Sequence, residues 1–319
     1  MKRGWLIFLL LFSSLSYVTA QTTRDATEMV PSGKGYGIQA SPDRLSGEAA
    51  SRVRSVPTGN GINYHGGKVM PGTVNIYFIW YGNWINGSHA SDSATTVNLI
   101  DTLFNPGGMG GSGYELINST YGTAVNNVSG NFLLVGSTHN NYSKGIRLND
   151  SAVLSIVSSA IGTGALPRDV NGLYFVLTSS DVAETSGFCT QYCGWHTRAT
   201  ISGADIKFAF VGNADRCPSA CEAQAQSPNQ DAGADGMASI MAHESEEAIS
   251  DPDLNAWYDS AGNENADKCA WTFGPTTGSI GSGGYNQTFA SKHWLIQMNW
   301  ENARGGGCDQ TKGGTFYAR

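Results

Sequence analysis

His243, Glu244 and Glu247 share one short run, MAHESEEAISDPD, at residues 241–253. A helix turns by about 100° per residue, and positions four apart lie one above the other. On a helix His243 and Glu247 therefore face the same side and could hold one metal ion between them. Glu244 falls one step round, where its carboxylate could act as a general base. Zinc lowers the pKa of a coordinated water from about 15.7 to about 7, so hydroxide becomes available at neutral pH. A neighbouring carboxylate then carries the proton to the leaving amine.

A third ligand has to come from elsewhere, and the best source is Asn263-Glu264-Asn265-Ala266-Asp267. With this segment the pattern resembles the gluzincin metallopeptidases, which pair a His-Glu-x-x-His helix with a downstream glutamate. The resemblance implies Glu264 as third ligand and Asp267 as the outer partner that orients His243. Two departures stand out. Glu247 replaces the second histidine, and Asp267 follows Glu264 by three residues rather than four. An extra carboxylate offsets more of the ion's charge and shifts preference from zinc toward harder ions.

From Asp231 to Asp267 there are ten acids and no Lys or Arg. Such a run repels itself unless solvent or a cation neutralises it. Calcium is the alternative ion. Asp251, Asp253 and Asn255 alternate as an EF-hand loop does, but Ala256 stands where that loop needs glycine and Gly262 where it needs glutamate. Only a calcium site of another kind fits. Asp251-Pro252 reads instead as a helix end. His65, His89, His139, His196 and His293 are isolated and read as structural; His196, beside Cys193-Gly194-Trp195, could face the same cleft. No Gly-x-Ser-x-Gly elbow and no P-loop lysine is present.

Residues 1–20 read as a signal peptide: Lys2 and Arg3, then the apolar run 5–12, then small residues before Gln21. Nothing later is long and apolar enough to span a bilayer, so no membrane anchor is expected. A net charge of −7 argues against nucleic acid. Six cysteines in an exported chain read as three disulfides. The expected pairing is local, Cys189–Cys193 and Cys217–Cys221, with Cys269–Cys308 closing the C-terminal region. A zinc site from the two Cys-x3-Cys pairs is the weaker alternative.

These residues need elements to position them. Residues 21–62 are polar and read as a flexible leader or pro-segment. Strands are expected at 74–81, 131–137, 172–178 and 207–211, from β-branched and aromatic content. Helices are expected at 91–104, stopped by Asn105-Pro-Gly-Gly, at about 150–161, capped by Asn149 or Asp150, and at 237–250. Residues 294–300 are ambiguous. Strands and helices alternate at first and strands then follow one another, which suggests a single α/β or α+β domain on one mixed sheet, over 63–319, with a zincin-like metal-site helix.

Several blocks together resemble the EXORDIUM / phosphate-induced protein 1 family of secreted proteins. They are Tyr64-His-Gly-Gly, Asn75-Ile-Tyr-Phe-Ile-Trp-Tyr-Gly-Asn-Trp84, Gly187-Phe-Cys-x3-Cys-Gly-Trp-His196, Phe210-Val-Gly-Asn213, Cys217-Pro-x2-Cys221 and Asp235-Gly-Met237. The resemblance implies an extracellular, wall- or matrix-associated protein, in plants linked to growth and without an established enzymatic activity. The residues themselves suggest a zinc site that acts on extracellular peptide or protein, with Glu244 as base. The alternative is a non-enzymatic wall or matrix protein in which the same acids hold a structural ion. An enzyme needs an open metal position, and a structural site is closed.

Overall fold

Residues 76–81 form an unbroken apolar run, and a strand of that kind is stable only when covered on both faces. The computed structural model, which describes Met1, Met29 and residues 31–34, 60–84 and 92–317, places it centrally. The rest of the expected signal peptide and most of the expected leader lie outside the described residues. Strand β1 (Gly72–Tyr81) pairs in parallel with β2 (Val128–Asn140) on one side and β3 (Gly172–Thr178) on the other. Next come the antiparallel edge strand β4 (Gly194–Ile201) and its partner β5 (Ala204–Gly212), which lies parallel to β3. The order β2-β1-β3-β5-β4 makes one mixed five-stranded sheet, as expected.

Parallel neighbours need crossover helices, and right-handed crossovers in opposite directions put them on opposite faces. Helix α1 (Ala94–Phe104) links β1 to β2, and α2 (Asp150–Gly162) links β2 back to β3. Asn149 caps α2 as expected, accepting the Ala152 N–H, and Asn105 ends α1; α1 begins three residues later than expected, with Ser93 as its cap accepting the Thr96 N–H. Phe104 of α1 packs against Phe78, Phe132 and Phe175, and α1 also touches the third helix, α3 (Ala232–Ser250). On the other face Leu154 of α2 lines a cavity together with Trp195 and Phe208. The molecule is thus a three-layer α/β domain with α1 and α3 on one side of the sheet.

One strand had no expectation in the sequence, and one expectation is corrected. The edge strand β4 carries Thr197, Arg198 and Thr200 among its partly exposed positions, so it lacks the apolar run that marks β1 and β3. It forms because the Ser202-Gly203 turn, with φ of 50° and 77°, folds it back on β5. The first two cysteine couples do not pair locally: the bridges are Cys189–Cys217 and Cys193–Cys221, with Cα separations of 5.7 and 5.6 Å. Cys217 and Cys221 lie one turn apart on a short helical segment, so their side chains point the same way and reach across to residues 189 and 193 rather than to each other. Cys269–Cys308 forms as expected. The ambiguous stretch 294–300 supplies two short strands, Lys292–Trp294 and Asn299–Glu301, in separate hairpins.

Phe104→Ala should remove the ring on which the α1 side of the sheet packs, at a cost of about 3–5 kcal/mol in urea unfolding. An unchanged midpoint would contradict the assignment of this ring cluster as the core.

Candidate metal centre

Helix α3 starts at Asp231, whose carboxylate accepts the Ala234 N–H at 3.0 Å. It stops at Asp251-Pro252, as the sequence implies, and the Asp251 N–H donates to the Glu247 carbonyl at 2.7 Å. Every residue from Gly233 to Ser250 is buried. A helix this polar ordinarily faces solvent, so its acids must find partners inside the protein. Close approach is possible because Gly194 on β4 has no side chain: a Cβ there would lie 2.6 Å from Ile240 Cγ2 and 3.0 Å from Glu244 Oε1.

The structure brings His243 and Glu247 together as their spacing requires, with Nε2 2.9 Å from Glu247 Oε1. The third group at this point is Asp267, whose Oδ1 is 3.5 Å from His243 Nε2. One ligand atom from each of His243, Glu247 and Asp267 lies within 4.8 Å of the others. Glu264 is not in that triad. Its Oε1 lies 3.6 Å from Nε2 of His196. Glu244 also faces His196, with Oε2 3.4 Å from Nδ1, and Glu247 Oε2 lies 3.6 Å from the same nitrogen. Glu247 thus joins two adjoining groups, His243–Glu247–Asp267 and His196–Glu244–Glu247. The Asp267 N–H donates to Glu247 Oε1 at 3.0 Å, and the Glu264 N–H to Asp267 Oδ2 at 3.3 Å, so the second segment is tied to the helix by its backbone.

Two members of the site are hard to find in the sequence. His196 is brought in by the edge strand, whose alternation turns Trp195 to the α2 face and His196 to the α3 face. Its only signal is the Cys-Gly-Trp-His block. Gln297 carries no signal at all; its side-chain amide meets His243 Nδ1. As placed, Gln297 Nε2 faces His243 Nδ1 while its Oε1 accepts the Trp271 N–H at 3.3 Å; coordination through His243 Nε2 requires the proton on Nδ1, so the amide would turn by 180° and give up the Trp271 bond. The loop considered for calcium does not converge on a point. Asp251 Oδ1 accepts from the amides of Asn255 and Ala256 at 2.6 Å each, and Asp253 lies 3.4 Å from Arg198 and 3.7 Å from Lys207.

Burial dominates the electrostatics. It pushes Glu244 and Glu264 well above the usual carboxylate range, with the charge of Glu247 adding to it. Burial and the charge of Asp267 raise Glu247 to about 7, against the pull of His243. Burial works to lower His243, but Glu247, Asp267 and Glu244 outweigh it and hold the imidazole well above its ordinary value. His196 goes the other way, to about 4, through burial and the charge of His243. His196 Nε2 and Glu264 Oε1 are buried without a hydrogen-bond partner. An excess of carboxylates, a nitrogen donor and unpaired buried atoms are the chemistry that a divalent cation satisfies.

The conserved region of phosphate-induced protein 1 matches residues 62–302, which span the sheet, α3 and both ligand-bearing segments. The chain belongs to the phosphate-induced protein 1 family. Protein EXORDIUM-like 5 of Arabidopsis thaliana is 32% identical over 248 residues, covering 70% of this chain and 67% of the relative. Protein EXORDIUM-like 3 of the same plant is 30% identical over 274 residues, covering 76% and 80%. Protein PHOSPHATE-INDUCED 1 of Nicotiana tabacum is 26% identical over 217 residues, covering 62% and 67%. No solved structure matches the chain. Among the described residues no helix is long and apolar enough to cross a membrane.

Beside the centre, Glu246 turns to Glu115 and Asn299 rather than to the histidines. Burial pushes Glu115 up from 4.5 to about 8. The folded chain then keeps a proton that the unfolded chain has lost. Stability from this group is complete below about pH 4.5 and declines as pH rises toward 8. Glu115→Gln should therefore flatten the fall in unfolding free energy between pH 5 and pH 8.5, measured by urea melts. An unaltered slope would show that this carboxyl titrates normally.

Proposed function

We propose that this family member is an exported protein that holds one divalent cation, zinc, between His243, Glu247 and Asp267, and that it hydrolyses extracellular peptide or protein. The observation that carries the reading is the convergence of those three side chains beside Glu244. An imidazole nitrogen among the donors favours zinc over calcium, which takes oxygen ligands. Export is supported by three disulfides, which persist in oxidising compartments.

A bound zinc ion would act as a Lewis acid and make hydroxide available near neutral pH. The chain's own residues do the rest. Glu244, which adjoins Glu247 and faces His196, would take a proton and return it to a leaving amine. Gln297 fixes the ring of His243. Glu247 ties the ligand helix to the Glu264–Asp267 segment through the Asp267 amide.

One observation favours a second reading, a structural ion in a wall or matrix protein. His243, Glu244, Glu247, Glu264 and Asp267 are all at most 4% exposed, and structural sites are closed. Both readings require that a chelator lower the melting temperature, by roughly 5–10 °C, and that added zinc restore it. A melt indifferent to chelator would contradict both. Gln297→Ala should weaken zinc binding by about 10–100-fold in a competition titration. Glu244→Gln separates the readings: it should keep the metal and lose about 10²–10⁴-fold in peptide hydrolysis. A chain whose chelator-sensitive melt is intact but which cleaves no peptide, with or without that substitution, is the structural protein.

A further inference from the structure

Lys34 is seated in a pocket that the domain builds without it. Its Nζ donates to Asp150 Oδ2 at 2.7 Å and to Ser186 Oγ at 2.9 Å. It also stands 5.2 Å over the ring of Tyr192 and 5.4 Å over that of Trp195, both of them buried. The anionic rim is fixed by its own bonds. The Ser186 hydroxyl meets Asp150 Oδ1 at 2.6 Å and Glu184 Oε2 at 2.9 Å, and Tyr192 OH also binds Glu184 Oε2. Two carboxylates over two aromatic faces make a receptor for a compact ammonium group.

The residue before Lys34 bonds the edge of the sheet. The Gly33 carbonyl accepts the N–H of His196 on the edge strand β4 at 3.0 Å. Only glycine fits there: its φ is 68°, and a Cβ would come within 2.1 Å of the His196 carbonyl oxygen. Pro31 is buried, Ser32 is exposed, and the Met29 N–H donates to the Ser260 carbonyl at 3.1 Å. A cavity of about 280 Å³ continues beside Lys34, lined by Ser151, Leu154, Thr197 and Phe208 among others. The seated residues precede the family's conserved region, which starts at residue 62, whereas every residue of the pocket is inside it. An edge strand that bonds a passing chain, with a pocket for its side chain, is a peptide-recognition arrangement.

From this we infer that the groove between β4, α2 and residues 184–192 is a binding site for a peptide carrying Gly-Lys, which the chain's own residues 31–34 fill. The inference does not depend on the metal reading, since the groups that hold Lys34 are Asp150, Ser186, Tyr192 and Trp195, and none of these is a proposed metal ligand.

The test uses the full-length chain and a fluorescent peptide of residues 29–34, MVPSGK, read by anisotropy. Lys34→Ala and, separately, Gly33→Val vacate the groove. Each variant should bind the peptide at least tenfold more tightly than the wild type, whose own segment competes. Replacing the peptide's lysine by norleucine, or adding Asp150→Asn to Lys34→Ala, should weaken binding at least tenfold. Binding that is no better in either variant than in the wild type would overturn the inference. So would equal affinity for the lysine and norleucine peptides.

Discussion

The cost of burying charge governs this structure. Glu244, Glu247, Glu264 and Asp267 meet two imidazoles, His196 and His243, in a space closed to water. An isolated carboxylate withdrawn from water costs several kcal/mol even after relaxation, so four of them demand a neutralising partner. Protonation is one remedy, visible in the upward displacement of Glu244 and Glu264. A divalent cation is the other remedy, and under the proposed function it would satisfy the nitrogen of His243 and the acids together.

The surrounding fold holds these groups in place. The parallel strands β1, β3 and β5 form a rigid floor, and the edge strand β4 delivers His196 from one side. The twin bridges Cys189–Cys217 and Cys193–Cys221 clamp the approach to β4 immediately before Gly194, the residue that lets α3 come close. Cys269–Cys308 secures the segment just after Asp267. All three bridges thus constrain chain that leads into or out of the centre. Their loss would be felt there as well as in the unfolded state.

Much of this was legible from residue types. The strands β1 and β3, the stop of α1, the cap of α2, and the end of α3 at Asp251-Pro252 follow from local patterns that the tertiary structure has no reason to override. So does the pairing of His243 with Glu247, which is a property of any helix. What was not legible depends on contacts between distant segments. His196 joins the centre because a half-polar edge strand crosses beneath α3, and Gln297 because a C-terminal loop returns to His243. Glu264 and Asp267 were both visible as acids. Which of them lies nearer His243 is set by how their loop docks on Glu247, and no spacing rule contains that.

The most direct measurement is X-ray diffraction from crystals of the zinc-loaded protein, collected on both sides of the zinc absorption edge. The account predicts one anomalous peak, within about 2.0–2.2 Å of His243 Nε2 and of oxygens from Glu247 and Asp267. A map without a peak there, with His243 Nε2 still bonded directly to Glu247, would show a buried ion-pair network in place of a metal centre and would contradict the account.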